Sequence, residues 1–321
     1  MDIIGTILWP IKWVVELILV AFHWLFTTMG MDPAAGITWV LSIVGLTVVV
    51  RAALIPIFVR QIKNQRRMLE IAPQLKKIQE KYKGKKDQFS REAMSRETME
   101  LYKKTGTNPL SSCLPLLLQM PVFFSLFQVL NGAQGGHAGV GPLNPTLALQ
   151  FGNATLFGIA PLHQSFQGAL NSHPPQVAVM VIAATMVVLM TASQFITQLQ
   201  IVSKNMSPET KASPQFKQQR ILLYLLPFVF LFSGFAFPLG VMFYWLTSNI
   251  WTMGQQFLVI RNLPTPGSDA AKAREARLAR KGKLVQDDGG VVLSVQEAPK
   301  KQQTQRVQPV SKNRAKKQAG R

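Results

Sequence analysis

The sequence predicts an all-α polytopic membrane protein with five core transmembrane helices and a cytosolic helical hairpin. Five apolar stretches are each long enough, or nearly so, to cross about 30 Å of hydrocarbon at about 1.5 Å per residue. Charge is segregated from them: 35 Lys and Arg against 15 Asp and Glu give a formal net charge of +20, concentrated between the apolar stretches and in the tail. Polar side chains recur on single faces of several stretches, around an arginine with no carboxylate in any of the five. A basic nucleic-acid-binding domain, the rival reading of such a charge, has no use for repeated uncharged apolar runs.

The first segment, residues 3–28 within an N-terminal region 1–30, is apolar but contains Pro10, Lys12, Glu16 and His23. At about 100° per residue the last three fall within about 40° of one another, an amphipathic stripe. A helix along the outer interface is the preferred reading, with Trp9, Trp13 and Trp24 suited to the headgroups. A sixth span is the alternative. The opening Met1-Asp2-Ile3 carries no basic region or small-residue cleavage site, so a cleavable signal peptide is not expected.

The five core spans are placed at 36–58, 109–130, 176–202, 221–237 and 238–260. The fourth and fifth abut through Gly234, Pro238 and Gly240, as a tight hairpin at the outer surface would. Residues 60–104 carry fourteen Lys and Arg, whereas 131–175 carry no charged residue. The first loop is therefore expected in the cytosol and the second outside. The 204–220 connection, with four basic residues, and the tail after Ile260, with fifteen, then also fall on the cytosolic side. This is the topology of a multi-pass protein of the bacterial plasma membrane with a cytosolic C-terminus.

Between the first two spans, 60–82 and 88–104 read as two helices separated by Lys83-Gly84-Lys85-Lys86-Asp87. Ile71, Leu75, Ile78 and Tyr82 give the first of them one apolar seam for its partner. Residues 262–321 are rich in Lys, Arg, Gln, Ala, Pro and Gly without an aromatic, and are expected to be largely disordered. Anionic lipid headgroups and ribosomal RNA are both suitable partners for this tail, and the sequence does not choose between them.

Arg51 is the sharpest functional signal. It stands inside the first span with no intramembrane Asp or Glu, so its guanidinium must find water, polar side chains or a group brought by a substrate. Snorkelling to the near headgroups is the bland alternative. The Cα–Cβ bond of a helix tilts toward its N-terminus, here toward the bilayer centre, which favours an internal hydrated cavity. Thr47 shares that face. Thr191, Gln194 and Gln198 fall within about 60° on the third span, Trp245, Asn249, Thr252 and Gln256 within about 60° on the fifth, and Ser112 and Gln119 about 20° apart on the second. Each stripe alone is commonly interhelical hydrogen bonding. Around an unpaired arginine, four of them suggest one polar space.

No catalytic or metal site is expected. His23, His137, His163 and His173 lie in the first segment or the 131–175 loop, the lone Cys113 has no disulfide or ligand companion, and no glycine-rich phosphate loop precedes a lysine. No cofactor is implied.

Asn108-Pro109-Leu110-Ser111-Ser112-Cys113-Leu114-Pro115 followed by Gln119-Met120-Pro121-Val122-Phe123 resembles the second-span signature of the YidC/Oxa/Alb membrane protein insertases. Phe237-Pro238-Leu239-Gly240, Tyr244-Trp245, Ser248-Asn249 and Gln255-Gln256 extend the resemblance over about residues 36–260. It implies five helices around a hydrophilic groove that is open to the cytosol and to lipid and closed outside. Arg51 matches the groove arginine, and Met120, Pro121 and Phe123 match positions along which a substrate helix slides. It also implies nascent membrane proteins as substrates, with the ribosome and the Sec translocon as partners. Two serines before Cys113, where the family often has glycines, and the short N-terminal region resemble the shorter Gram-positive, actinobacterial forms. The competing function is a secondary transporter or channel for an anionic solute, which predicts inverted repeats and interrupted helices that the sequence lacks.

Overall fold

A computed structural model describes residues 3–85, 87–107, 114–208 and 234–281, with single residues at 211, 221, 225, 231 and 232 between. Most of the expected span at 221–237, the first five residues of the span at 109–130 and the tail beyond Lys281 lie outside the described residues. The chain divides into two units, up to Arg274 and from Glu275 onward.

Helix α1 covers Ile3–Thr28 and α2 covers Gly36–Glu70. The span expected at 36–58 thus continues without a break into the basic segment, carrying Arg60, Lys63 and Arg67 on the same helix. The break comes at Ile71, with Pro73 in the first turn of α3 (Ala72–Lys81). Proline lacks an N–H and its ring clashes with the preceding turn, so a helix restarts at such a position. The hairpin is completed by α4 (Gln88–Thr105), where Asp87 accepts the Ser90 N–H at 2.8 Å and Gly106 closes the helix at φ +61°. The apolar seam holds its place, with Ile71 buried and Leu75, Ile78 and Tyr82 half-buried.

Helix α5 (Leu114–Gln134) leads into the uncharged loop, which is ordered as α6 (Pro145–Asn153), a two-residue hairpin of β1 (Thr155–Leu156) and β2 (Ala160–Pro161), and α7 (Phe166–Asn171). Helix α8 (Val177–Lys204) and α9 (Leu239–Asn262) follow, close to the expected third and fifth spans. Residues 5–28, 36–64 and 177–204 are long and apolar enough to cross a membrane. α9 is also 24 residues long, about 36 Å. Its run of Thr247, Ser248, Asn249, Thr252, Gln255 and Gln256 makes it more polar.

The expected disorder of the tail is corrected at its start, where α10 (Asp269–Arg280) forms. Its Ala, Arg and Leu content favours a helix, the Ala271 N–H donates to the Ser268 hydroxyl at 3.2 Å, and Asp269 opens and Arg280 ends the helix, matching the helix dipole. A low-complexity composition conceals a good helix when the window is dominated by Lys, Gln and Pro further along.

The packing is uneven along the bundle. Buried apolar residues are Trp39, Val40, Ile43 and Leu46 at the start of α2, Leu126 to Ala133 at the end of α5, Val179 to Met190 at the start of α8 and Leu239 to Tyr244 at the start of α9. All these stretches lie at the end joined to the 131–175 loop, which adds Leu143, Ala148, Phe151, Leu156 and Leu162 to the same cluster. In the hairpin half, the buried positions Thr47, Gln61, Ser193, Thr197 and Ser248 are polar.

Candidate functional site

Arg51 lies fifteen residues into α2, about 22 Å of rise from Gly36. Its Nε donates to the Ser248 hydroxyl of α9 at 3.1 Å, and Nη2 is directed at the same oxygen. Ser248 is buried, whereas the guanidinium side chain is half-buried. One hydroxyl cannot satisfy five guanidinium donors. Among the described residues no carboxylate pairs with Arg51; the ion pairs Lys76–Glu80 and Lys81–Glu97 are in the α3–α4 hairpin.

One turn above Ser248, Tyr244 is buried and its hydroxyl accepts from Gln119 Nε2 of α5 at 3.0 Å. α9 therefore links α2 and α5 through two side chains four residues apart. Thr252 lies one turn further, donating to the Ser248 carbonyl at 2.8 Å, and Thr47 donates to Ile43 at 2.7 Å. These backbone bonds quiet the threonine hydroxyls within their own helices.

Among the described residues, other polar atoms are buried without a protein partner in both halves: on Trp39, Ser125, Gln134, Gln150 and Gln176 toward the loop, and on Gln61, Gln119, Thr191, Gln198 and Gln200 toward the hairpin. An unmet polar atom in a membrane protein is costly unless water or another chain meets it. Gln194, Asn249 and Gln256 are half-buried in the hairpin half of the bundle. Ser112 lies outside the described residues. Of the expected slide positions, Met120 is exposed and Pro121 sits within α5. Phe123 packs on Trp245 at 5.4 Å between ring centroids, and Trp245 on Phe237 at 5.1 Å.

The stripe on α9 is rotated relative to its expected centre. Trp245 belongs to an aromatic cluster facing α5, while Tyr244 and Ser248, absent from the expected set, make the interhelical polar contacts. The signal was present: Tyr244, Ser248 and Gln255 fall within about 40° on a helix. Counting Trp245 with the amides and Thr252, and leaving out the tyrosine and serine hydroxyls, drew the centre toward Asn249 and Gln256.

Another charged group set among apolar residues is Glu16, fully buried in the middle of α1. It accepts the backbone N–H groups of Val140 at 2.8 Å and Gly141 at 2.7 Å. His23 Nε2 bonds the Pro33 carbonyl at 3.0 Å and its ring stacks on Trp39. Two residues of the amphipathic stripe, Glu16 and His23, are thus turned into the protein. Amphipathicity fixes a polar face without saying what meets it.

A helical bundle whose apolar core fills one half and whose polar, arginine-bearing face occupies the other is a multi-span membrane protein. The family described as 60Kd inner membrane protein matches residues 30–266. A membrane protein insertase YidC of Tropheryma whipplei (strain Twist) is 46% identical over 319 residues, 98% of this chain and 97% of the relative. The protein of the same name from Bifidobacterium longum is 36% identical over 97% of this chain and 95% of its own length. The one from Streptomyces avermitilis is 45% identical over 84% of this chain and 61% of its own length. The chain belongs to the 60Kd inner membrane protein family, the YidC/Oxa family of the resemblance read from its motifs.

Proposed function

We propose that this chain is a membrane protein insertase that receives a polar segment of a nascent membrane protein in the hairpin half of the bundle, without catalysing a chemical reaction. The observation that carries the reading is Arg51, placed deep in α2 and held by one hydroxyl of α9. Its remaining donors and the unmet amide oxygens of Gln119 and Gln198 would meet water and the polar flank of a substrate. Moving a polar group into hydrocarbon is expensive, and a hydrated face with a fixed positive charge lowers that cost without turnover. The substrate's apolar helix would lie along Met120, Pro121 and Phe123 of α5, next to lipid.

In this reading five core helices cross the membrane, the fourth at 221–237. The α3–α4 hairpin and the C-terminus are cytosolic and the 131–175 loop is outside, as its lack of charge supports. α1 lies along the outer interface: Glu16 and His23, about 10 Å apart on the helix, are both bonded to loops at the same end of the bundle. The basic tail meets ribosomal RNA or anionic lipid, and the Sec translocon is a partner for larger substrates. The relatives' insertase name gives the anion-transporter alternative no support.

Reconstitution tests the function. Purified protein in liposomes should promote insertion of a small two-span substrate without an ion gradient. Liposomes that move an anionic solute while insertion stays at the protein-free level would contradict it.

A further inference from the structure

The hairpin β1–β2 turns through Phe157, Gly158 and Ile159, with Leu156 paired to Ala160. Phe157 sits at φ +54° and Gly158 at φ +72°. Two consecutive residues at positive φ are what Asn-Gly or Gly-Gly sequences supply, because a side chain with a Cβ is strained there. A phenylalanine in that position is a genuine outlier, and it does not recover the strain by packing. Phe157 is 76% exposed and Ile159 61% exposed.

The hairpin is held in place at its base. Thr155 pairs with Ala35, and a Cβ added at Gly36 would lie 2.5 Å from the Thr155 carbonyl carbon, so the strand runs directly over the first residue of α2. Ile37, beside that contact, is exposed, as are Val48 and Val49 further along α2. The apolar tip is therefore continuous with the end of a membrane-spanning helix. The loop has no charged residue to resist entry into a bilayer. At the base of the turn the Ile159 N–H donates to Leu156 at 3.2 Å and the Leu162 N–H to Ala154 at 3.0 Å, which lowers the cost of bringing this backbone to an interface.

We infer that Phe157 and Ile159 form a wedge that dips into the outer leaflet beside the start of α2, so that the strained turn is retained for a contact with lipid. This rests on the membrane topology proposed above. It fixes the depth of the loop end of the bundle relative to the headgroups.

The test uses the full chain with Cys113→Ala, reconstituted in phosphatidylcholine/phosphatidylglycerol vesicles, carrying Phe157→Cys or Ile159→Cys labelled with an environment-sensitive fluorophore. Val48→Cys is the lipid control and Asn171→Cys, on the exposed face of α7, the aqueous control. Phe157 and Ile159 labels should be quenched by lipids bearing a nitroxide near the headgroup and protected from iodide relative to Asn171. If Val48 is quenched by lipid while both tip labels are quenched by iodide as strongly as Asn171, the wedge is refuted and the membrane topology stands. If Val48 itself is quenched only by iodide, the membrane-spanning reading of α2 fails, and the inference with it. Phe157→Asn supplies an independent arm: it should keep or raise the melting temperature in detergent while reducing lipid quenching at Ile159→Cys. A lower melting temperature with unchanged quenching would mean that Phe157 packs within the protein.

Discussion

The two halves of the bundle handle their charged groups in opposite ways. At the loop end, Glu16 accepts two backbone N–H groups, His23 donates to the Pro33 carbonyl, and large apolar residues close around them. At the hairpin end, the described residues give Arg51 one hydroxyl, while buried amide groups without a protein partner occur at both ends. Saturated, well-packed polar groups make a rigid closure. Unsaturated ones invite water and a visiting chain. In the proposed insertase, the saturated carboxylate would help close one end of a groove and the unsaturated arginine would make the other receptive.

The largest expected effect follows from packing. Leu130 is fully buried in the loop half, and Leu130→Ala should lower stability by about 3 kcal/mol in detergent unfolding. Gln198→Leu, in the other half, should leave stability unchanged or raise it while reducing insertion. Equal losses of stability would erase the contrast between the halves. Glu16→Ala comes next: it orphans two buried N–H groups and should cost about 2 kcal/mol. Glu16→Gln keeps one acceptor oxygen and should cost less, as read by melting temperature.

Arg51→Ala should reduce insertion of substrates with acidic outer segments by roughly tenfold, equivalent to about 1.4 kcal/mol, and should affect neutral-flanked substrates much less. Arg51→Lys should retain much of the activity if a point charge suffices. Uniform loss over both substrate types would indicate a structural role for the Arg51–Ser248 contact.

The smallest effect lies in the hairpin. The Glu97 carboxyl is held below its ordinary range by the hydrogen bond from Lys81, with a second from Tyr82. Its folded value is depressed, so the contribution to stability is present above the ordinary carboxylate range and is lost as pH falls through the folded value. Hydrogen exchange in α3 and α4, corrected for the intrinsic rate, should therefore rise below about pH 4 while the loop half stays protected. Glu97→Gln should flatten that pH dependence.

Much of this architecture was legible from residue patterns. Long uninterrupted runs such as residues 177–202 leave helix as the single way to satisfy the backbone in lipid, so α8 and α9 fall close to their expected bounds. The continuity of α2 past Phe58 was not legible, because the change from apolar to basic residues marks the membrane surface without breaking a helix; Pro73 does that. Arg51 stood out because charge inside a span is rare. Ser248 and Tyr244 did not, since a hydroxyl's importance depends on which helix faces it. The inward turn of Glu16 depends on Val140 and Gly141, some 120 residues away, a pairing no local period contains.

The central claim is that the hairpin half holds a hydrated face reachable from the cytosol. Single cysteines at Arg51, Gln119, Gln194, Trp245 and Thr252, in a Cys113→Ala chain whose folding is verified by its melting temperature, can be exposed to a membrane-impermeant thiol reagent from each side. Labelling from the cytosolic side at Arg51, Gln119, Gln194 and Thr252, weaker labelling at Trp245 within its aromatic cluster, and none from outside is the predicted result. If all five remain unlabelled while cysteines in the α3–α4 hairpin react, there is no open polar groove and the account is wrong.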